Sequence, residues 1–207
     1  MRQELLQFQQ QLSDITVQLL ESLMQALQLP ADALAQTIAD GPYQHMKLIH
    51  YPGAHATTSN QGVGAHKDPG YLTLVLQDSQ SGLQVETADG WIDAAPLPGA
   101  FVVNIGELLE LASNGYLKAT MHRVVTPQAG IERFSCAFFM AAQLDATVPL
   151  LALSAELAAE AQGPASDPSN PLFHQVGANV LKGRLRSHPD VAARHYSDVL
   201  PELARVG

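Results

Sequence analysis

Only one cysteine, Cys136, occurs in the 207 residues, so no internal disulfide framework is open to the chain. Cations are scarce too: 11 Lys and Arg stand against 20 Asp and Glu, for a formal net charge of −9. An anionic chain gains no counterion release from phosphates, which argues against nucleic acid and for a small-molecule partner. No apolar run approaches the roughly 18 residues that a membrane-spanning helix needs. The start, MRQELLQFQQQLSDITVQLL, is polar and glutamine-rich where a secretory signal has a basic start and an unbroken apolar stretch. The expected location is therefore cytoplasmic. Internal repeats and low-complexity tracts are also missing, which excludes solenoids and arrays.

What is present is a hydrophobic fraction of 46%, enough for one ordinary core in a chain of this length. Leu5, Phe8, Leu12, Ile15, Leu19, Leu23 and Leu27 recur at three and four residues, predicting a long amphipathic helix over 2–28 with those residues buried. Pro30 opens a shorter helical stretch through Ile38, which Gly41-Pro42 breaks. Strand-like alternation follows at Met46–Tyr51, Tyr71–Gln77, Leu83–Glu86, Trp91–Ala94, Phe101–Ile105, His122–Val125 and Ser135–Met140, with one helix, Gly106–Ser113, interposed. Many short strands joined by turns predict an antiparallel sandwich or jelly roll and disfavour Rossmann-like folds. After Leu150 the pattern turns helical again, and the GPASDPSNP loop is too short to link domains. The expectation is one domain over 1–207: helical 1–40, a β core over 44–145, and a helical region over 150–207.

Eight histidines invite a search for metal-ligand spacing. In GAHKDPGYLTLVL, His66 and Asp68 are two residues apart, so a strand beginning there projects both side chains into one cavity. His122 begins another strand, and two imidazoles plus one carboxylate fill one triangular face of an octahedral metal. That donor set with open positions suits iron(II) that must take up both dioxygen and an organic co-substrate, whereas zinc favours four-coordinate closure. Arg133 and Ser135 share strand parity. A hairpin about Pro127–Gly130 sets Ser135 opposite His122 and Arg133 opposite Val124, all four pointing inward. The Arg133 fork, with Ser135 beside it, then suits a carboxylate at about the length of a short dicarboxylate from the metal.

Other candidates read more plainly. His188-Pro189-Asp190, with His195 nearby, is a helix start with Ser187 as N-cap rather than a second metal site. Glu107 and Glu110 form a solvated helix face, and Lys182, Arg184 and Arg186 a surface cluster able to meet an anionic substrate. Trp91 buries a hairpin, and Cys136, of opposite parity to Arg133 and Ser135, lies outside the metal cavity.

His66-x-Asp68, His122 and Arg133-x-Ser135, in this order and spacing, resemble the isopenicillin-N-synthase-like iron(II)/2-oxoglutarate dioxygenases. The likeness extends to Tyr51 in KLIHYP, to LQVETADGWIDA, VNIGELLELASNGYLKATMHRVV and RFSCAFF, and to NVLKGRLRSHPDVAARHY near the C-terminus, covering roughly 44–200. It implies a double-stranded β-helix, the cupin-like jelly roll, with iron(II) on His66, Asp68 and His122. Tyr51, Arg133 and Ser135 then hold the far carboxylate of the co-substrate 2-oxoglutarate, and dioxygen is consumed as a small metabolite is hydroxylated, desaturated or cyclised, with succinate and carbon dioxide released. Two departures stand out: Ile49 replaces the asparagine of the family's Asn-x-Tyr motif, and the region that usually precedes the long helix is not in this sequence. The chain is then a natural short form, a fragment, or a protein that completes its surface in a homo- or hetero-oligomer. Two rival functions remain at this stage. One is an oxidase like isopenicillin N synthase that uses no oxoacid; the other is a non-catalytic binding or partner protein that keeps the metal face.

Overall fold

Along strand β8 (Arg133–Met140), Arg133, Ser135 and Ala137 are buried and alternate with exposed Phe134 and half-buried Cys136, and this two-residue rhythm organises the whole core. The computed structural model describes residues 1–53, 59–165, 167 and 170–198. His55, part of the GPASDPSNP loop and the end of the chain from 199 lie outside the described residues.

Among the described residues, eight strands form two four-stranded antiparallel sheets. The first has the order β1 (Gln44–Tyr51), β8, β3 (Leu72–Gln77), β6 (Phe101–Ile105); the second runs β2 (Gln61–His66), β7 (His122–Val125), β4 (Leu83–Thr87), β5 (Gly90–Asp93). Strands consecutive in sequence fall in opposite sheets at several crossings, which is the double-stranded β-helix expected from the sequence. Inner-facing Tyr51, Val75, Leu83, Val124 and Ala137 fill the space between the sheets. The outer face of the first sheet, with Leu72, Leu74, Phe138 and Met140, packs against helix α1 (Arg2–Ala26). Each fully buried Leu or Met there contributes roughly 1.5–3 kcal/mol.

The long helix forms as expected, but its buried stripe is rotated. Leu12, Ser13, Thr16, Leu20 and Met24 face the sheet, whereas Ile15 is 41% exposed and Leu19 and Leu23 only flank the contact. Thr16 occupies the centre of the stripe because its hydroxyl donates to Leu12 O at 2.7 Å, satisfying its polar atom within the helix. Gln28 at φ 61, with Leu29 N donating to Met24 O, closes the helix ahead of Pro30. The stretch after Pro30 is not a helix; it holds turns and one short 3₁₀ segment, Ala35–Thr37. Docking explains the difference: buried Leu34 enters the core, and the Thr37 hydroxyl meets the Tyr71 hydroxyl at 3.0 Å, so the segment follows the sheet. Burial pushes the Tyr71 phenol up to about 12, keeping it neutral in that contact.

Helices α2 (Glu107–Ala112), α3 (Ala155–Glu160), α4 (Val176–Ser187) and α5 (Pro189–His195) complete the fold. The start of α5 is shifted by one residue from expectation. His188 is its N-cap and Pro189 its first residue, while the Ser187 hydroxyl donates back to Arg184 O at the end of α4. Among the described residues, no helix is long and apolar enough to cross a membrane.

Candidate metal centre and anion-binding cavity

His66 ends β2, pairs in register with His122 at the start of β7, and their ring centroids are 4.3 Å apart. Strand parity is not what brings Asp68 to them, because β2 finishes at His66 and Asp68 lies in the following turn. That turn is fixed by backbone bonds: Glu107 N donates to Asp68 O at 2.7 Å, Leu108 N to Gly70 O and Tyr71 N to Met140 O. Gly106 allows the approach, since a Cβ there would stand 2.1 Å from Gly70 O. One nitrogen of each imidazole and one carboxylate oxygen of Asp68 lie within 4.8 Å of one another, a group among the described residues that could hold a metal ion. His188, Asp190 and His195 take no part in it.

Backbone carbonyls fix how the donors face. His66 Nδ1 is 2.8 Å from Gly64 O and His122 Nδ1 is 3.0 Å from Thr120 O, so each ring donates Nδ1–H to a carbonyl and leaves Nε2 with its lone pair inward. Both Nε2 atoms lie 3.6 Å from Asp68, one to each carboxylate oxygen. Asp68 is 1% exposed, accepts from Asn104 Nδ2 at 3.3 Å through Oδ2, and has no hydrogen-bond partner on Oδ1. Burial alone pushes its carboxyl up, but in the metal-free chain hydrogen bonding from His66 and Thr73, with the positive charge of the two rings when protonated, outweighs burial and holds it below the usual range. A buried carboxylate oxygen without a donor, facing two imidazole lone pairs, is what a divalent cation would satisfy.

Arg133 is fully buried at 0% exposure. Its Nη2 donates to Gln77 Oε1 at 2.8 Å, its Nε to Gln80 O at 3.3 Å, and its guanidinium carbon lies 4.9 Å from the Tyr51 ring centroid. Nη1 has no partner, and none of the ion pairs among the described residues involves Arg133. Arg133 is therefore not a surface charge paired with Glu132 or Asp93. Ser135 is buried on the same face, two residues along, and Tyr51 stands directly across from Arg133 in the β1–β8 register. A buried cation without a counter-ion is costly, and an incoming carboxylate would offset that cost.

The expected β7–β8 hairpin does not form. β7 pairs with β2 and β4, and β8 with β1 and β3, so both edges of each strand are already taken and the turn at Pro127–Gly130 carries the chain between sheets. His122, Val124, Arg133 and Ser135 are nonetheless all buried, because the two sheets face each other and their inner side chains pack together. Cys136 lies off that face, as parity requires, and Trp91 packs on Arg123, 4.1 Å from its ring.

Glu110 is a correction. It is 3% exposed rather than solvated: it accepts from Lys67 Nζ at 2.9 Å and Ala119 N at 3.0 Å through Oε2, and from Ala165 N at 2.7 Å through Oε1. It thus ties the residue between His66 and Asp68 to the segment leading into His122. The signal was in the sequence: in ELLELA the glutamates sit among Leu108, Leu109, Leu111 and Ala112, leaving no wide polar face. Asn104, the single polar residue within the apolar FVVNI strand, and Gln77 were also missed. Glu110→Ala is expected to destabilise the chain by about 3–5 kcal/mol, since it strands the Lys67 ammonium and two amides; a urea unfolding midpoint equal to that of the unaltered chain would contradict the clamp.

Residues 42–142 match the family model of the 2OG-Fe(II) oxygenase superfamily. A homoarginine-6-hydroxylase of Arabidopsis thaliana is 40% identical over 66% of this chain and 42% of its own length. The 2-oxoglutarate-dependent dioxygenase frbJ of Dothideomycetidae sp. (strain 11243) is 33% identical over 91% of this chain and 55% of its own. Among solved structures, a 2OG-Fe(II) oxygenase family protein from Caulobacter crescentus matches with a TM-score of 0.69 at 30% identity, covering 90% of this chain and 59% of that one. The chain spans about half the length of the curated relatives it matches.

Proposed function

Because the chain belongs to the 2OG-Fe(II) oxygenase superfamily, we propose that it is a non-haem iron(II), 2-oxoglutarate-dependent oxygenase that hydroxylates, desaturates or cyclises a small-molecule metabolite. In this reading residues 1–207 act as one domain, with the β core over 44–145. His66, Asp68 and His122 hold iron(II), and Tyr51, Arg133 and Ser135 hold the distal carboxylate of 2-oxoglutarate. The observation that carries it is the pairing, in one cavity, of a donor-poor Asp68 oxygen with a buried, counter-ion-free Arg133. Bound iron supplies dioxygen activation coupled to loss of carbon dioxide from the oxoacid, leaving succinate. The chain's own contribution is binding and orientation. Gly64 O and Thr120 O fix the imidazole tautomers, Asn104 turns Asp68, and Gln77 aims the Arg133 fork. Val75, Val124 and Ala137 keep the space between the sheets dry.

Adding iron(II) and 2-oxoglutarate to the chain without oxygen is the direct test. The expected result is the weak visible charge-transfer band of a keto-acid chelate; metal uptake with no band on adding the oxoacid would contradict the proposal. Admitting oxygen should then release succinate, whereas oxygen consumption without succinate would favour an oxidase in which Arg133 grips the substrate's own carboxylate.

A further inference from the structure

On β1, His45, Lys47, Ile49 and Tyr51 share the inner face, opposite Phe139, Ala137, Ser135 and Arg133 respectively. The face thus runs from the 2-oxoglutarate end at Tyr51 to a second end at His45. That second end adjoins the metal cluster, since Phe139 also lies across from Thr73, which is paired with Asn104, the donor to Asp68.

The His45 ring stacks on Phe139 with centroids 4.5 Å apart at 10°. Its Nδ1 makes no hydrogen bond, and the ring is held by the stacking. Lys47 Nζ is 5.1 Å from the Phe139 centroid. From the C-terminal helix α4, Arg184 Nη2 donates to Tyr43 Oη at 3.0 Å, and the Tyr43 ring is 5.8 Å from His45. Lys47 and Arg184 flank one aromatic pair closely enough that both oppose a proton on His45, after burial itself.

Both cations, like Arg133, are without a counter-ion among the described residues. Lys67 has Glu110, and Lys182 faces Glu107. Among the described residues neither Lys47 nor Arg184 has a carboxylate within ion-pair distance. Asp68 is the acidic group whose charge reaches His45, and the metal centre engages it.

Resting on the oxygenase reading above, we infer that the substrate is a carboxylic acid with an apolar body, its carboxylate taken by Lys47 and Arg184 and its body laid against His45, Phe139 and Ile49. A planar carboxylate fits the guanidinium fork, and the exposed Lys47 adds a mobile point charge. The apolar body is then set between the carboxylate anchor and the metal, which decides the carbon that is oxidised.

Matched acids and amides test this: 3-phenylpropanoate, octanoate and N-acetylphenylalanine, each against its amide, followed by ligand-observed NMR on the full chain loaded with zinc(II). Measurements with and without saturating 2-oxoglutarate separate this cleft from Arg133. At least one acid should bind about tenfold more tightly than its amide. That preference should fall to within about twofold in Lys47→Met and return in Lys47→Arg. Equal binding of acid and amide in every pair, no binding by any of them, or a preference untouched by Lys47→Met would overturn the inference. The charge-transfer titration reads the oxygenase assignment separately, so an absent chelate band with an intact Lys47-dependent acid preference would sink that assignment and leave this site standing.

Discussion

His122→Ala should leave a folded chain that no longer holds iron(II), with affinity reduced by more than about a hundredfold, the upper range for losing even a supporting residue of a metal site. The size of the effect follows from the donor count. Three side chains make the cluster, and a cation left with His66 and Asp68 alone would keep one strand-end imidazole that is partly open to solvent and one carboxylate. Folding should survive, because His122 is the first residue of β7 and its ring bonds to Thr120 O, within its own segment. Asn104→Ala should cost less, about tenfold, since it removes one long bond to Asp68 Oδ2 and leaves every donor in place. His188→Ala should change nothing, because that ring contacts Ser187 and Arg184 O at the C-terminal end of α4. Cobalt(II) titration followed by visible absorption, with far-ultraviolet circular dichroism as the folding control, measures all three. Retained high affinity in His122→Ala would remove that residue from the centre.

Two geometric expectations drawn from the sequence failed at this site, although the residues they concerned are still buried or brought close together. Spacing suggested that His66 and Asp68 share a strand face; in the structure the strand stops at His66, and Asp68 is delivered by a turn anchored on the first amides of α2. A hairpin was expected to put Ser135 opposite His122; they lie in different sheets that face each other. Period-two patterning reports which side chains point inward but not which strand is the neighbour. In a β-helix every inward residue reaches the same cavity, so the burial pattern was recoverable and the pairing was not. The buried stripe of α1 was missed by about one position for a related reason. Thr16 satisfies its hydroxyl on Leu12 O, so a residue that reads as polar sits where an aliphatic one was expected. The spacing of Glu107 and Glu110 suggests a solvated helix face, but the three partners of Glu110, at 67, 119 and 165, are remote in the chain. Such tertiary partners are invisible until the fold is known.

Arg133→Met separates binding of the oxoacid from binding of the metal, and the expected outcome has two parts with opposite signs. The concentration of 2-oxoglutarate needed for half-maximal turnover should rise by more than about a hundredfold, consistent with the roughly 2–5 kcal/mol typical of losing one partner of a buried charge pair. Iron(II) affinity should stay within about twofold, because the contacts of Arg133 run to Gln77, Gln80 and Tyr51 rather than to His66, Asp68 or His122. Arg133→Lys should fall between the two, since an ammonium keeps the charge but lacks the fork. Stability should move the other way. In the ligand-free chain the guanidinium is fully desolvated with one nitrogen unpaired and no counter-ion, so an apolar side chain of similar length removes a standing penalty, at the cost of leaving Gln77 Oε1 and Gln80 O without that donor. Thermal unfolding of the metal-free variant should therefore show a midpoint equal to or above that of the unaltered chain, and added 2-oxoglutarate with a divalent metal should stabilise the unaltered chain far more than the variant. A variant that loses metal, oxoacid and stability together would show that Arg133 is a structural pillar, and that the cavity's missing anion is not what its burial is for.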